Sequence, residues 1–373
     1  MKRQIIRINA SVDRSRTKII LQKLGEAGIK DIHVNSGRGP LLENPTGLIA
    51  ILSGKETLTS HPVDCISFFV EDHEEESALD LLVSNGKLTI PGMGTAYSQK
   101  YTLNNKHPQC VLNNVKQSEK SPNRYYSNLV GIACIVQRGR GDSIARVVLE
   151  SGSAVPTITY GTGTGVRDKL GLLRITIPAE KEVVTLITTS WDADDLVEDM
   201  IRTGRLDQPG KGFINTFEIN KGILNTKVSS GGSKHAASME QIIAAIDKSE
   251  GGLEWRKDAN HGRHAGNQRH YFSGQDLNVI CNDGNGVDLV KAAMDGGAAG
   301  ATIEKISLRE ESNKSAQEGL SRAREICKLM VPTDKVEQII GAMTKANAFG
   351  DKAKAMIFDA PVHKAFTYLQ KSA

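Results

Sequence analysis

Apolar and polar residues follow one pattern that recurs three times along the chain. Each copy begins with an alternating or apolar run that predicts a strand, and these runs are Ile5–Val12, Val130–Val136 and Leu277–Cys281. A polar turn, an apolar stripe at helical spacing and a glycine-containing stop come next, and a second apolar run follows. Because repetition on this scale indicates one structural unit used several times, the pattern predicts three similar units.

Every copy then continues with a third strand and a second helix. The third strands are predicted at Val63–Val70, Val183–Ser190 and Ile326–Val331, and the helices at Glu71–Ser84, Trp191–Arg202 and Thr333–Lys345. A last strand completes the order βαββαβ, which is that of the ferredoxin-like fold. The sequence therefore predicts the α+β class, with three tandem ferredoxin-like domains whose sheets cover one another around a shared axis.

Less regular stretches separate the copies and set the predicted domain boundaries. Residues 1–106, 128–222 and 274–373 are expected to form the three domains. The stretch 107–127 is expected to be a polar linker, and 223–273 a linker that contains an extra helix at Ser238–Lys248. The segment Arg256–Arg269 is polar and rich in histidine, which is typical of an exposed loop.

Composition limits the function classes. The chain has 47 basic and 43 acidic residues and no long basic run, which argues against a nucleic-acid partner. No apolar stretch has the length of a membrane span or of a signal peptide core, so we expect a cytoplasmic protein that does not insert into a membrane. The five cysteines are scattered and form no CxxC pair, which favours buried free thiols.

Two glycine loops carry the candidate chemistry. After the second helix, the first copy reads Gly86-Lys87 and then Pro91-Gly92-Met93-Gly94, and the second copy reads Gly204-Arg205 and then Pro209-Gly210-Lys211-Gly212. Closely spaced glycines allow backbone N–H groups to converge on an anion, and a neighbouring Lys or Arg adds charge. The matching loops predict phosphate contacts at Gly86, Lys87, Gly92, Gly94, Gly204, Arg205, Gly210, Lys211 and Gly212.

A second glycine cluster follows the second strand of the same two copies. It is Gly37-Arg38-Gly39 in the first copy and Gly161-Thr162-Gly163-Thr164-Gly165 in the second. A tight turn would explain either cluster taken alone. Because both kinds of glycine cluster occur together in both copies, we favour phosphate binding, with Gly37, Gly39, Gly163 and Gly165 as candidate contacts.

These segments resemble the nitrogen-regulatory PII signalling family. Ala133–Gly165 and Gly286–Ile303 are similar to its opening strand, helix and strand, and Thr203–Phe213 is similar to its phosphate-contacting B-loop. Members of the family are trimers that bind adenine nucleotides in clefts between subunits, and a flexible T-loop reports the ligand to partner proteins. The resemblance implies that this single chain builds the whole ring as a monomeric, intramolecular pseudo-trimer.

The resemblance also implies roles for individual residues. Thr157, Gly163 and Gly165 would approach the nucleotide, Gly204, Arg205, Gly210 and Lys211 would hold its phosphates, and Lys181 would reach a phosphate from the base of the T-loop. The expected ligands are ATP, ADP or AMP, together with Mg²⁺, bound as effectors and not as catalytic cofactors. The chain departs from the family in the order of its B-loop residues and has no match to the family's modified tyrosine segment.

Three alternatives compete with this hypothesis. A metal-binding ring of the related CutA type would use His261, His264 and His270, although loop histidines are more often solvated. A purely structural ring would have lost its ligand, since the third copy lacks the glycines after its second strand. An enzyme is not expected, because no nucleophile elbow, HExxH motif or Cys/His pair with family spacing is present.

The sequence therefore predicts a non-catalytic regulator that senses adenine nucleotides. The nucleotide is expected to order the loop around Gly161–Lys169 and so to change the surface offered to a regulated protein. A membrane transporter is the partner class that the resemblance suggests.

Overall fold

The computed structural model describes residues 3–43, 56–104, 123–165, 180–225, 245–249, 269–309 and 321–368. The strands in these ranges are β1 Arg3–Asp13, β2 Ile32–Glu43, β3 Thr57–Val70, β4 Gly94–Leu103, β5 Leu129–Gln137, β6 Thr157–Gly165, β7 Glu180–Thr189, β8 Gly212–Glu218, β9 Lys221–Ile223, β10 Phe272–Asn282, β11 Gly300–Arg309, β12 Ser321–Val331 and β13 Met356–Thr367. The helices that pack on them are α1 Arg14–Glu26, α2 Glu75–Gly86, α3 Gly141–Ser151, α4 Ala193–Gly204, α5 Gly286–Asp295 and α6 Val336–Lys345.

The helix boundaries follow from local chemistry. The side chain of Asp13 accepts a hydrogen bond from the Ser15 amide at 2.9 Å and so caps the N-terminus of α1. Single 3₁₀ turns at Asp72–Glu74 and Thr333–Lys335 lead into α2 and α6. Glycine 152 ends α3 in the left-handed conformation, as the glycine-containing stop predicted.

Alternation within the strands separates two faces of the sheet. In β1, Ile6, Ile8 and Val12 are buried against α1 and α2, while Arg7 and Asn9 between them line an internal cavity on the opposite face. Equivalent apolar clusters lie beneath α3 with α4 and beneath α5 with α6. The helices therefore cover one face of the sheet, and the other face encloses the cavity.

The strands form one continuous antiparallel sheet of thirteen strands in the order β11-β12-β10-β13-β8-β5-β7-β6-β2-β3-β1-β4-β9. β11 also pairs with β6 and β2, and β13 also pairs with β4, so the sheet closes on itself. β9 follows the second group of helices along the chain but pairs with β4 of the first group. Strands that are distant in sequence thus share backbone hydrogen bonds.

The predicted fold class was wrong. The chain does not form three tandem ferredoxin-like domains arranged as an intramolecular pseudo-trimer, because its strands build a single closed antiparallel sheet. The physical reason lies at the strand edges. Unpaired N–H and C=O groups on an edge strand favour pairing with any neighbouring strand. Here β2, β6 and β11 pair with one another, and β13 pairs with both β4 and β8, across the predicted boundaries.

Several other predictions concern segments beyond the described ranges. The predicted linker residues 107–122, most of the predicted helix Ser238–Lys248, and the T-loop positions between second and third strands lie outside them. The predicted domain boundaries stay a prediction. In the part of the chain that the structure describes, no helix has the length and apolar character needed to cross a membrane.

Candidate ligand-binding cavity

The inner face of the closed sheet surrounds a cavity of about 800 Å³. This volume lies within the range of about 300–1,000 Å³ that is typical of small-molecule sites. Its wall is made by strands from all three groups, and it mixes backbone glycines, aromatic rings, hydroxyls, amides and charged side chains. A wall of this kind offers both apolar area and hydrogen-bonding groups that could orient a ligand.

Six of the fifteen predicted nucleotide-contacting residues line this cavity, namely Thr157, Gly163, Gly165, Lys181, Gly210 and Gly212. Strand register explains why they meet. Lys181 on β7 lies opposite Gly161 of β6. On its other side β7 pairs with β5, and β5 pairs in turn with β8, where Gly212 lies at the same end of the sheet. We refer to these six residues as the glycine rim.

The side chain of Lys181 runs across the glycine rim. A Cβ atom at position 163 would lie only 2.6 Å from Cε of Lys181, so glycine at this position leaves room for the lysine side chain. The neighbouring glutamates have their own basic partners, since Glu180 pairs with Arg138 at 2.9 Å and Glu182 pairs with Arg38 at 3.2 Å. Lys181 itself lines the cavity and brings a basic side chain to the rim.

The third group of strands completes this part of the wall. Oγ1 of Thr367 donates a hydrogen bond to the Gly212 carbonyl at 2.8 Å. The rings of Phe213 and Phe272 lie with their centroids 6.3 Å apart, and Tyr368 also lines the cavity. Aromatic side chains next to glycines and a lysine provide surfaces for a flat ring and for an anionic group.

The other nine predicted residues lie away from the cavity wall, and they are Gly37, Gly39, Gly86, Lys87, Gly92, Gly94, Gly204, Arg205 and Lys211. Lys87 and Arg205 are the left-handed C-caps of α2 and α4, with φ values of 55° and 51°. The Gly92 amide donates a hydrogen bond to Oδ1 of Asn225 at 3.0 Å, so this N–H group already has an acceptor within the chain. Their predicted contact with phosphate stays a prediction.

Close strand approach explains the last glycine of each loop. A Cβ on Gly94, which has a φ of 134°, would lie 2.0 Å from the Ser11 carbonyl oxygen. At Gly212 the corresponding distance to the Ile135 carbonyl oxygen is 2.4 Å. Both positions therefore require glycine for the backbone to pair, whether or not an anion binds nearby.

A polar network fills the inner part of the cavity. Glu304 on β11 is almost completely buried, and its Oε2 accepts hydrogen bonds from Asn35 at 2.8 Å and from Thr159 at 2.9 Å. Its Oε1 is ion-paired with Nζ of Lys328 at 2.5 Å, although that contact lacks hydrogen-bond geometry. One carboxylate thus joins strands β2, β6, β11 and β12.

Arg7 and His33 form the neighbouring part of the inner wall. The guanidinium of Arg7 lies over the rings of Phe69 and Phe358, 5.8 and 5.5 Å from their centroids, and donates to Oγ of Ser67 at 3.1 Å. Nε of Arg7 and Nδ1 of His33 are buried and have no hydrogen-bond partner within the described ranges. Burial, reinforced by the positive charges of Arg7 and Arg324, lowers the pKa of His33 to about 3, so its imidazole is neutral.

Two further cavity residues have shifted acidity. Burial raises the pKa of the Asp276 carboxyl above its usual range, against the opposing effect of Asn278, Lys328 and Arg7. Burial raises the pKa of the Cys65 thiol to about 12. A thiol of this kind carries almost no thiolate at neutral pH, so Cys65 lacks the form that acts as a nucleophile.

Among the residues whose placement is described, there is no site that matches the metal-binding alternative. His261 and His264 lie outside them, and His270 is exposed. No group of three or more His, Cys, Asp or Glu side chains within the described ranges could hold a metal ion.

Sequence reasoning missed the inner network, although the chain contained a signal for it. In β1 the residues Arg7, Asn9 and Ser11 alternate with apolar residues, which predicts a strand with one polar face. Glu304 and Lys328 are charged residues that each interrupt an apolar strand. The alternation could have located the polar face, but it could not show that this face encloses a cavity.

No family model matches the chain, and no curated protein matches it. Among solved structures, an anthrone oxidase-like protein shares 8% sequence identity over 67% of this chain and 99% of its own chain, with a TM-score of 0.14. A similarity at this level carries no argument about fold or function. The resemblance to the PII family stays a prediction, and no role in nitrogen regulation is proposed.

Proposed function

We propose that this protein is a non-catalytic sensor that binds an adenine nucleotide in the cavity, with phosphates at the glycine rim. The observation that supports this proposal is the convergence of six predicted contacts on one cavity of suitable volume. These contacts come from β6, β7, the turn before β8 and the first residue of β8. The nearby rings of Phe213 and Phe272 offer apolar area for the purine, and Lys181 offers charge for a phosphate.

The acidity of His33 and Cys65 supports a sensor over an enzyme that would use either side chain. A general base needs a pKa near the working pH, and a thiol nucleophile needs a thiolate. The pKa of His33 is about 3 and that of Cys65 is about 12, so both lie far from that range. Nucleotide binding would then act through a change in the conformation or population of a surface offered to a regulated protein in the cytoplasm.

Calorimetric titration tests the proposal directly. ATP, ADP, AMP and cyclic AMP are titrated into the purified full-length chain, with and without Mg²⁺. We expect saturable binding of at least one of them, and a micromolar site corresponds to about −8 kcal/mol. The Lys181→Ala variant should lower the affinity at least tenfold, because the lysine supplies charge at the rim.

Lys211→Ala is the matched control, since Lys211 lies between Gly210 and Gly212 in sequence but does not line the cavity. It should change the affinity by less than twofold. If no nucleotide binds, or if the two lysine variants lose affinity equally, the proposed site is wrong. A cavity that binds no nucleotide would favour the structural alternative.

A further inference from the structure

The wall of the inner cavity carries unlike residues at corresponding positions of the three groups of strands. Strand register fixes the correspondence, since the buried carboxylates of the third strands pair with the first strands as Asp64↔Val12, Glu182↔Val136 and Glu325↔Cys281. Five residues earlier, the first strands carry Arg7, Gly131 and Asp276. Arg7 and Asp276 line the cavity, whereas the space beside Gly131 is filled by the ring of Phe217.

The second strands show the same divergence. Each buried carboxylate pairs with one residue of a second strand. The residues that directly precede these partners in sequence are Asn35, Thr159 and Glu304. These three side chains meet, because Asn35 and Thr159 both donate to Glu304. Charge is therefore distributed unevenly over the cavity wall, because β1 contributes a cation and β10 and β11 contribute carboxylates.

The charges in this region balance. Arg7 and Lys328 supply two positive charges, and Asp276 and Glu304 supply two ionisable carboxyl groups. Glu304 and Lys328 are already paired with each other. The other two groups of opposite sign are Arg7 and Asp276, and burial raises the pKa of the Asp276 carboxyl against the opposing positive charges of Lys328 and Arg7. A ligand with no net charge but with both signs of charge matches them better than a simple anion does.

Arg7 is arranged to recognise a carboxylate. The rings of Phe69 and Phe358 lie on the same side of its guanidinium, since their centroids are 5.8 and 5.5 Å from Cζ and 5.1 Å from each other. The planar guanidinium can also donate two parallel hydrogen bonds to a carboxylate. Arginine has five N–H donors, and the acceptors near Arg7 are Ser67 and Tyr101. Among the described residues, the buried Nε of Arg7 and Nδ1 of His33 have no hydrogen-bond partner, and both residues line the cavity. Buried polar groups in folded proteins are nearly always hydrogen-bonded, so such groups call for an explanation, such as a bound water or ion, or strain.

We propose that the inner cavity binds one zwitterionic metabolite of the amino acid class per chain, with its carboxylate at Arg7 and its ammonium group at Asp276. The amides of Asn9 and Asn278, which also line the cavity, would contact the remaining polar atoms. Arg7 and Asp276 line the same cavity as the glycine rim but are not among its six residues. The proposed amino acid contacts thus differ from the proposed nucleotide contacts and do not depend on them.

The first test uses the unaltered protein and the twenty standard amino acids as probes. Thermal unfolding is measured with each, and any that raises the unfolding temperature is titrated by calorimetry. We expect a stoichiometry of one. The N-acetyl form of that amino acid lacks the ammonium group, and its amide lacks the carboxylate. Each should bind at least tenfold more weakly, because one of the two charged contacts is lost.

The second test assigns the site. Arg7→Gln and Asp276→Asn should each weaken amino acid binding at least tenfold. Arg3→Gln is the matched control, because Arg3 lies on the same strand, is exposed and does not line the cavity. Nucleotide binding by the same variants separates this proposal from the other one, since Lys181→Ala should affect the nucleotide and leave the amino acid unchanged.

Three outcomes would overturn the proposal. The first is that no amino acid stabilises the protein, which would indicate a cavity filled by water alone. The second is that the N-acetyl form binds as tightly as the zwitterion, which would indicate a simple anion site. The third is that Arg7→Gln and Arg3→Gln bind equally well. If the Arg7 variant does not fold, the comparison of ligand analogues on the unaltered protein still tests whether both charged groups of the ligand are needed for binding.

Discussion

Among single residues, His33 shows how burial sets the chemistry of the cavity wall. Its pKa is about 3 in the folded protein and about 6.5 in an unfolded chain. The cations that face it are Arg7 and Arg324, which add to the effect of burial. Between these two pKa values the unfolded chain binds a proton that the folded protein does not, so the free energy of unfolding falls as the pH is lowered through this window.

Replacing this histidine should therefore reduce the pH dependence of stability. One proton corresponds to a slope of at most about 1.4 kcal/mol per pH unit. In His33→Gln the free energy of unfolding should fall less steeply between pH 6.5 and 4 than in the unaltered protein. Urea denaturation at several pH values measures the slope. His270→Gln, at an exposed position, is the control, and an equal reduction by both variants would contradict the assignment.

Residue types alone predicted some local roles and missed others. A glycine-containing stop was predicted after the first helix of each copy, and Gly152 ends α3 in the left-handed conformation. Lys87 and Arg205 were predicted to supply charge to phosphates, which stays a prediction, and their role as left-handed caps at helix ends was not predicted. A basic residue after a glycine fits both roles, and only the backbone conformation reveals the cap. The sequence pattern carries no information on that conformation.

Among elements, each third strand carries one carboxylate that anchors the start of a helix. Oε2 of Glu182 accepts hydrogen bonds from the amides of Gly139 and Gly141 at 3.0 and 2.7 Å, at the N-terminus of α3. Glu325 accepts from the Gly286 amide at 2.6 Å, at the N-terminus of α5. Glu182 also pairs with Arg38 on β2, so it joins two groups of strands.

Removing this carboxylate should destabilise the protein strongly. Glu182 is almost fully buried, and its loss leaves the Gly139 and Gly141 amides without their acceptor. It also removes one of the two carboxylates that pair with Arg38, of which Asp142 is the other. Glu182→Ala should lower the free energy of unfolding by about 3 kcal/mol. Glu180→Ala is the matched control on the same strand. Its ion pair with Arg138 is exposed, so the loss should stay below about 1 kcal/mol.

Equal losses in the two glutamate variants would show that the anchor contributes no more than a surface ion pair. Denaturant unfolding at neutral pH distinguishes the two results. The buried carboxylates also left a trace in the sequence, since Asp64, Glu182 and Glu325 each stand at or near the start of an apolar run. Their repeated position could have been recognised, but their partners lie on other elements.

Most strands and helices were predictable, because their apolar periodicity is local. The predicted strand Val130–Val136 corresponds to β5 at Leu129–Gln137, and the predicted helix Trp191–Arg202 corresponds to α4 at Ala193–Gly204. Strand ends were underestimated where polar residues continue the pairing, as in β10, which extends back to Phe272. Pairing partners, and not residue types, decide where such a strand ends.

For the whole molecule, the sequence did not reveal that the sheet is continuous. The pattern within each copy specifies which face of a strand is buried, but it does not specify which strand lies at its edge. The pairs Gly163↔Thr302 and Ser307↔Val34 join residues that are more than a hundred positions apart. Since such contacts depend on the shape of the closed sheet, no local signal could predict them. The enclosed cavity follows from the same closure.

A closed sheet should unfold as one cooperative unit. β11 pairs with β2 and β6, and β13 pairs with β4 and β8, so unfolding one group of strands exposes edges of the other two. We expect a single denaturant transition by circular dichroism. In Glu182→Ala, amide hydrogen exchange should show similar losses of protection in β1, β5 and β10, because protection in a cooperative unit follows its global stability. Loss of protection confined to β5–β8, or three separate transitions, would show that the groups of strands unfold independently despite their shared hydrogen bonds.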